Sequence, residues 1–288
     1  MMQDRVLLEA ARVAAEALTE DDAWNDAATD SLGRAAHGPA VCEFRAREPM
    51  VLAGWFAVEA VYEALGGAVV PVREAPEGAF LDSGALLGVV RGPTGAVLRG
   101  ERSALNILCR MCGIATLTRE YVKAAPGVEI LDTRKTTPGL RVLEKYAVAA
   151  GGGVNHRMGL SDMAMFKDNH TAALGGAGFL GPAVEAARTL GVPVEIEVDS
   201  PAQLAAVLPF KPDRVLLDNM TVPMLLESVK LAEGRCYLEA SGGVTLENVA
   251  AIAATGVDGI SVGALTHSAP SADVGLDWRE EPVVPAGD

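Results

Sequence analysis

No stretch of the chain approaches the ~20 consecutive apolar residues that a membrane-spanning helix needs. Cysteine is scarce, at four residues, and the acidic stretch from Met1 to Glu20 has no signal-peptide pattern. A disulfide-built scaffold is thereby excluded, and a reducing cytoplasm is the expected compartment. Positive charge is short as well. Lys and Arg number 24 against 38 Asp and Glu, a net charge of −14 that argues against a nucleic-acid-binding surface. His37, His170 and His267 show no metal-ligand spacing, so no zinc site is expected.

What remains is apolar and rich in glycine. Half the residues are hydrophobic, and apolar runs alternate with Ala/Leu/Glu-rich stretches, the pattern of an α/β protein. The first hundred residues read as a small α+β domain. An amphipathic helix over Met1 to Glu20 precedes a strand at Ala40 to Ala46, a helix at Ala57 to Leu65, and strands at Ala68 to Arg73 and Leu87 to Gly92. Turns are predicted at residues 76–78 and 92–95. A long helix is predicted from Ser103. It carries Cys109 and Cys112 as a CxxC, read as small buried residues because no strand stands just before them.

From there strands and helices alternate, which requires right-handed crossovers and a parallel sheet. The predicted strands are Glu129 to Asp132, Met163 to Lys167, Val194 to Val198, Arg214 to Leu217, Tyr237 to Ala240 and Gly259 to Val262. A barrel is favoured over an open sheet because Lys167, Glu197, Asp218, Ser241 and Gly263 all fall at strand C-terminal ends, which in a barrel converge on one rim.

Those residues suit an anionic ligand. Glu197 and Asp218 end apolar strands, where a carboxylate is costly unless it binds something. Two on one rim can hold Mg²⁺, directly or through water, or accept hydrogen bonds from sugar hydroxyls. Ser241, Gly242 and Gly263 follow two successive late strands, where backbone N–H groups can approach a phosphate. Arg102, Arg134, Lys135, His156, Arg157 and Lys167 form a basic cluster in a segment, Arg99 to His170, with eleven Lys/Arg against seven Asp/Glu. Arg pairs with carboxylate and phosphate through two parallel donors. Lys167 also admits a rival reading, a Schiff-base aldolase.

Several segments together resemble quinolinate phosphoribosyltransferase: REPMVLAG (47–54), ERSALNILCRMCGIAT (101–116), DTRKTTPGLRVLEKYAVAAGGGVNHRMGLSD (132–162), FKDNH (166–170), EIEVDS (195–200), LLDNM (216–220), LEASGG (238–243) and VGALTHSAPSADVGLD (262–277). The resemblance implies an N-terminal open-faced α/β sandwich over residues 1–104. It implies an incomplete α/β barrel of about seven strands over 105–268, and a tail, 269–288, returning to the sandwich. It further implies phosphoribosyl transfer from phosphoribosyl pyrophosphate to quinolinate, with Mg²⁺, in a homodimer or multiple of dimers. On that basis Arg102 (from an adjacent subunit), Thr133, Arg134, His156, Arg157 and Lys167 would bind quinolinate. Arg47 (also from the partner), Lys135, Glu197, Asp218, Ser241, Gly242, Gly263 and His267 would bind phosphoribosyl pyrophosphate. Glu197, Asp218 and Lys135 would act in catalysis, the two carboxylates also at the metal. One departure stands out: NDAAT (25–29) replaces the family's GDVTT, keeping Asp26 but losing the glycine and first threonine. The competing readings are a nicotinate-specific enzyme of the same group and a non-catalytic paralogue of the kind associated with molybdenum transport.

Overall fold

A computed structural model describes residues 2–279. Its strands, in chain order, are β1 (Pro39–Ala46), β2 (Met50–Val51), β3 (Val70–Arg73), β4 (Phe80–Leu81), β5 (Leu86–Pro93), β6 (Glu129–Leu131), β7 (Ala164–Phe166), β8 (Val194–Val198), β9 (Arg214–Asp218), β10 (Tyr237–Ser241), β11 (Gly259–Ser261) and β12 (Val274–Trp278). The chain divides into two compact units. One comprises the residues up to Leu117, Thr137–Gly152 and those from Ala269 onward; the other comprises Thr118–Thr136 and Gly153–Ser268. A helix, Thr94–Ala124, therefore runs through the 104/105 boundary read from the sequence, and residues 137–152 group with the first unit. Of the tail, residues 274–278 form β12; residues 280–288 lie outside the described part.

The first unit is built on an antiparallel sheet in the order β12-β1-β5-β3. Strand β1 shows the period of two that sets one face into a core. Ala40, Cys42, Phe44 and Ala46 are buried, while Glu43 and Arg45 alternate with them and pair at 2.6 Å. Phe44 meets the edge of Trp55, ring centroids 5.4 Å apart, at the start of the helix Trp55–Ala64. That helix has no capping side chain of its own. The Glu77 carboxylate accepts the Gly54 and Trp55 N–H groups, both at 2.8 Å, and a carboxylate at a helix N-terminus is also favoured by the helix dipole.

The sequence predicts a turn at residues 92–95 and a helix from Ser103, but the helix already begins at Thr94. The Thr94 N–H and hydroxyl both donate to the Gly38 carbonyl, at 2.8 and 3.0 Å. Gly100 reflects close packing rather than chain reversal: a Cβ there would lie 2.5 Å from Tyr62 Cε1. Farther along, Cys109 and Cys112 are free thiols. Cys112 is fully buried beside the Ala53 N–H, 3.4 Å away, and burial pushes its thiol up to about 12. It packs as a small apolar residue, as its place inside a helix predicts.

The second unit holds a parallel sheet in the order β6-β11-β10-β9-β8-β7, with one further parallel bridge from Leu131 to Val154. From β7 to β11 each strand neighbours the next in chain order, and β11 in turn pairs with β6, which is the order of a barrel left open between β6 and β7. Among the described residues no pairing joins Val154 to β7, so the ladder stays open there. Six strands and one bridge thus stand for the seven or so strands expected, and the barrel is not closed. One face of each strand packs outward, as Val194, Ile196 and Val198 do on β8, all buried. The alternate positions point the other way, and there the chemistry gathers. No helix of the described residues is long and apolar enough to cross a membrane.

Candidate active site

One cleft of the second unit collects most of the residues singled out by the sequence. Asp132, Thr133, Arg134 and Lys135 line it after β6, His156 and Arg157 after the bridge, and Met165 and Lys167 at β7. Glu197 on β8, Leu216 and Asp218 on β9, Glu239 and Ser241 on β10, and Ser261 on β11 complete it. The registers Glu197 to Leu216, Asp218 to Ser241 and Ser241 to Ser261 bring these strand ends level. Gly263 and His267 border Lys135: a Cβ on Gly263 would lie 3.2 Å from Lys135 Cδ and 3.1 Å from His267 Nε2. Arg47 and Arg102 are not among the lining residues and belong to the first unit. Arg47 pairs with Asp277, and the exposed Arg102 borders a groove with Asp22, Asn25, Asp26 and Glu101. In the NDAAT segment, Asp26 caps the helix Ala27–Ser31 by accepting the N–H groups of Ala28 and Thr29 at 3.0 and 3.2 Å.

The basic turn after β6 is fixed by short-range bonds. Thr133 Oγ1 accepts the Lys135 N–H at 3.0 Å, and the Thr136 N–H reaches the Arg134 carbonyl at 2.9 Å. The Thr266 hydroxyl donates to the Lys135 carbonyl at 2.7 Å, tying this turn to the segment that follows β11. Fully buried Asp132 accepts the His156 backbone N–H at 2.9 Å, so the two basic segments share an anchor.

The cations are crowded. Burial, and then the charge of Arg134, hold the Arg157 guanidinium below its ordinary value. Arg157 is steadied by donating to the Met163 carbonyl at 3.1 Å and by a 3.3 Å contact with Met165 Sδ. Lys167 forms an ion pair with Glu197.

On the opposite flank, Asp218 accepts a hydrogen bond from its neighbour Asn219 (Nδ2 to Oδ2, 2.7 Å). Asn219 adopts a left-handed backbone, φ 54°, and its N–H donates to the Ser241 carbonyl at 2.8 Å. Gly242 fits against it with φ 94°; a Cβ there would come within 2.2 Å of Asn219 Oδ1. Only glycine satisfies both the backbone conformation and the space. Glu197 and Asp218 stand on the neighbouring strands β8 and β9 and present hard carboxylate oxygens to the cleft, a donor set that fits Mg²⁺.

The floor of the cleft was not read from the sequence. His156 Nε2 lies 3.1 Å from Glu195 Oε2 and 3.3 Å from Glu239 Oε2. Both carboxylates are almost wholly buried, at 0% and 1% exposure. Arg214 Nη2 donates to Glu239 at 2.8 Å, and the guanidinium lies 3.9 Å above the Tyr237 ring. The signal was present: Glu195 and Glu239 sit two residues before Glu197 and Ser241, on the same strand faces.

Residues 26–112 match the family model described as quinolinate phosphoribosyl transferase, N-terminal domain, and residues 114–277 match the C-terminal domain. A nicotinate-nucleotide pyrophosphorylase (carboxylating) from Mycobacterium leprae is 46% identical over 240 residues, 80% of this chain and 84% of the relative. A probable enzyme of the same name from Bacillus subtilis is 39% identical, covering 86% of this chain and 87% of the relative. The solved nicotinate-nucleotide pyrophosphorylase of Francisella tularensis superposes with a TM-score of 0.88 at 32% identity, covering 95% of this chain and 97% of the other.

Proposed function

The chain belongs to the quinolinate phosphoribosyltransferase family, and from that premise we infer that it transfers the phosphoribosyl group of phosphoribosyl pyrophosphate to quinolinate. Carbon dioxide and pyrophosphate leave, and nicotinate mononucleotide is formed for NAD synthesis. The observation that carries this reading is the cleft itself, where Arg134, Lys135, Arg157 and Lys167 crowd together at strand ends beside two metal-competent carboxylates. So many cations with two carboxylates in reach suit a dicarboxylate and a pyrophosphate better than a monocarboxylate such as nicotinate.

Thr133, Arg134, His156, Arg157 and Lys167 form the quinolinate side, and Lys135, Asp218, Ser241, Gly242, Gly263 and His267 the phosphoribosyl pyrophosphate side. Glu197 lies between them through its ion pair with Lys167. In the reaction the pyridine nitrogen bonds to the anomeric carbon while the bond from that carbon to pyrophosphate breaks. Positive charge grows on the ribose, where Glu197 and Asp218 stabilise it or fix its hydroxyls. Negative charge grows on the leaving group, against Lys135. Mg²⁺, which Glu197 and Asp218 would hold directly or through water, supplies further positive charge to that group when bound. The bond from C2 to its carboxylate then breaks, the electron pair being drawn toward the quaternised nitrogen, and C2 takes up a proton. No protein nucleophile is needed; orientation and fixed charge suffice.

Arg47 and Arg102 would complete the site from a partner subunit, making a homodimer or a multiple of dimers the working form. The four cysteines, all free thiols, suit a reducing cytoplasm.

One assay tests the reading: protein, phosphoribosyl pyrophosphate and Mg²⁺ with quinolinate or nicotinate in parallel, following nucleotide and CO₂. Turnover of quinolinate alone is expected; turnover of nicotinate alone would overturn the substrate, and turnover of neither would overturn the activity. Gly242→Ala should raise the KM for phosphoribosyl pyrophosphate roughly tenfold or more, since strain and the clash with Asn219 move the turn. The KM for quinolinate should stay within about twofold, as steady-state kinetics with each substrate varied will check.

A further inference from the structure

Lys135 and His267 carry polar groups that the rest of the protein leaves unpaired. Lys135 lines the cleft and forms no ion pair among the described residues, whereas Lys167 is paired with Glu197. His267 Nδ1 lies 2.6 Å from the Ser268 hydroxyl oxygen, and among the described residues Nε2 has no partner. The two side chains meet over Gly263, where a Cβ would lie 3.2 Å from Lys135 Cδ and 3.1 Å from His267 Nε2. An ammonium on a flexible four-carbon stem reaches one chosen partner only if the backbone beneath it is held in place.

That hold is visible in the structure. Strands β6 and β11 run side by side as far as the bond from the Val262 N–H to the Leu131 carbonyl, 2.9 Å. Both chains then leave the sheet. Four residues farther along each, the Thr266 hydroxyl donates to the Lys135 carbonyl at 2.7 Å. The same oxygen lies 3.3 Å from the Gly263 carbonyl, so Thr266 spans the two sides of the frame. Its side chain is fully buried, and water cannot replace it as the donor. The other bonds of the Lys135 turn are local: its N–H donates to Thr133 Oγ1 at 3.0 Å, and the Thr136 N–H to the Arg134 carbonyl at 2.9 Å. Local bonds fix the shape of a turn. The bond from Thr266 fixes its place relative to Gly263 and His267.

We propose that Thr266 is a positioning residue: its hydroxyl holds the Lys135 turn against the segment after β11, so that the Lys135 ammonium and His267 Nε2 reach one phosphate group of the substrate together. This rests on the reading of the cleft as a phosphoribosyl pyrophosphate site. Donors fixed in advance need no rearrangement when the anion arrives, which is where their advantage over mobile ones lies. Gly263 serves the same end by leaving room for the Lys135 stem beside the imidazole. Phosphoribosyl pyrophosphate carries phosphate at two places, the 5-position and the pyrophosphate, and both present the same acceptor oxygens.

Two variants separate positioning from a merely structural role. Thr266→Val keeps the shape of the side chain and removes the donor; Thr266→Ser keeps the donor and removes a methyl group. Each loses something in a buried place, so both should melt below the wild-type temperature. Only T266V should lose ligand. Calorimetry on the intact protein, with pyrophosphate, ribose 5-phosphate and quinolinate as separate probes, reads this directly. T266V should bind pyrophosphate or ribose 5-phosphate at least fivefold more weakly, and the probe affected shows which phosphate the pair takes. T266S should stay within about twofold of wild type for both, and quinolinate within about threefold in either variant. In steady-state kinetics the KM for phosphoribosyl pyrophosphate should rise at least fivefold in T266V and recover in T266S. Wild-type affinity of T266V for both phosphate probes would overturn the proposal. So would an equal loss in T266S, or a quinolinate affinity falling by the same factor. Wild-type protein that binds neither phosphate probe would overturn the reading of the cleft and the proposal with it. Thr266→Ala takes the place of T266V should that variant not fold, with the same outcomes.

Discussion

Arg134→Ala should raise the KM for quinolinate by about 30- to 1000-fold while changing the KM for phosphoribosyl pyrophosphate less than about threefold. The estimate follows from removing one member of a desolvated, charge-assisted pair, which costs about 2–4 kcal/mol at 1.4 kcal/mol per tenfold. Arg134 lines the cleft beside Arg157 and Lys167, and its charge already lowers the Arg157 guanidinium. That repulsion is relieved when an anion binds between the cations and persists when none does, so part of the affinity comes from ending it. Arg134→Lys should recover only a small part, since an ammonium cannot form two parallel bonds to a carboxylate. Steady-state kinetics and direct quinolinate binding are the measurements. An unchanged quinolinate affinity in R134A would remove Arg134 from the pocket assignment.

The second large effect concerns turnover. Asp218→Asn should lower kcat by about 10²- to 10³-fold, the scale of losing one preorganised electrostatic contact to a developing charge. Quinolinate affinity should barely move, because Asp218 stands on β9, away from Arg134 and Arg157. The substitution is close to isosteric. The neighbouring Asn219 bonds to Asp218 Oδ2 at 2.7 Å and can still find an oxygen at that place in D218N, so the fold should survive. Pre-steady-state measurement would locate the loss in nucleotide formation. A rise in KM at constant kcat would instead assign Asp218 to ground-state binding.

The rim of the barrel was legible in the sequence because its residues break a pattern. Lys167, Glu197, Asp218 and Ser241 are polar groups that end apolar strands, and each lines the cleft. The floor was less legible, for the same reason in reverse. Glu195, Leu216 and Glu239 lie two residues upstream, inside runs that read as core, and only the pairing of strands shows that Glu195, Glu239 and Arg214 meet. The early start of the helix at Thr94 was hidden by glycines that signal turns in isolation. Close packing gives them another purpose: a Cβ would lie 2.7 Å from the Ala68 carbonyl oxygen at Gly92, 3.1 Å from Thr29 Cγ2 at Gly95 and 2.5 Å from Tyr62 at Gly100. The two-residue strands β2 and β4 are too short for any periodicity to reveal.

The gap in the barrel has a consequence for how the molecule holds its ligand. Strands β9 and β10 are hydrogen-bonded on both sides, whereas β7 has three residues and, among the described residues, pairs with β8 alone. Its free edge offers no ladder to resist local opening. Yet β7 and the residue after it place Met165 and Lys167 on the wall of the cleft. Ligand that binds only while this edge is folded stabilises the folded edge by mass action. A bound dicarboxylate spanning Arg134, Arg157 and Lys167 would then do for this edge what a neighbouring strand does for the others: the substrate would complete the wall that encloses it.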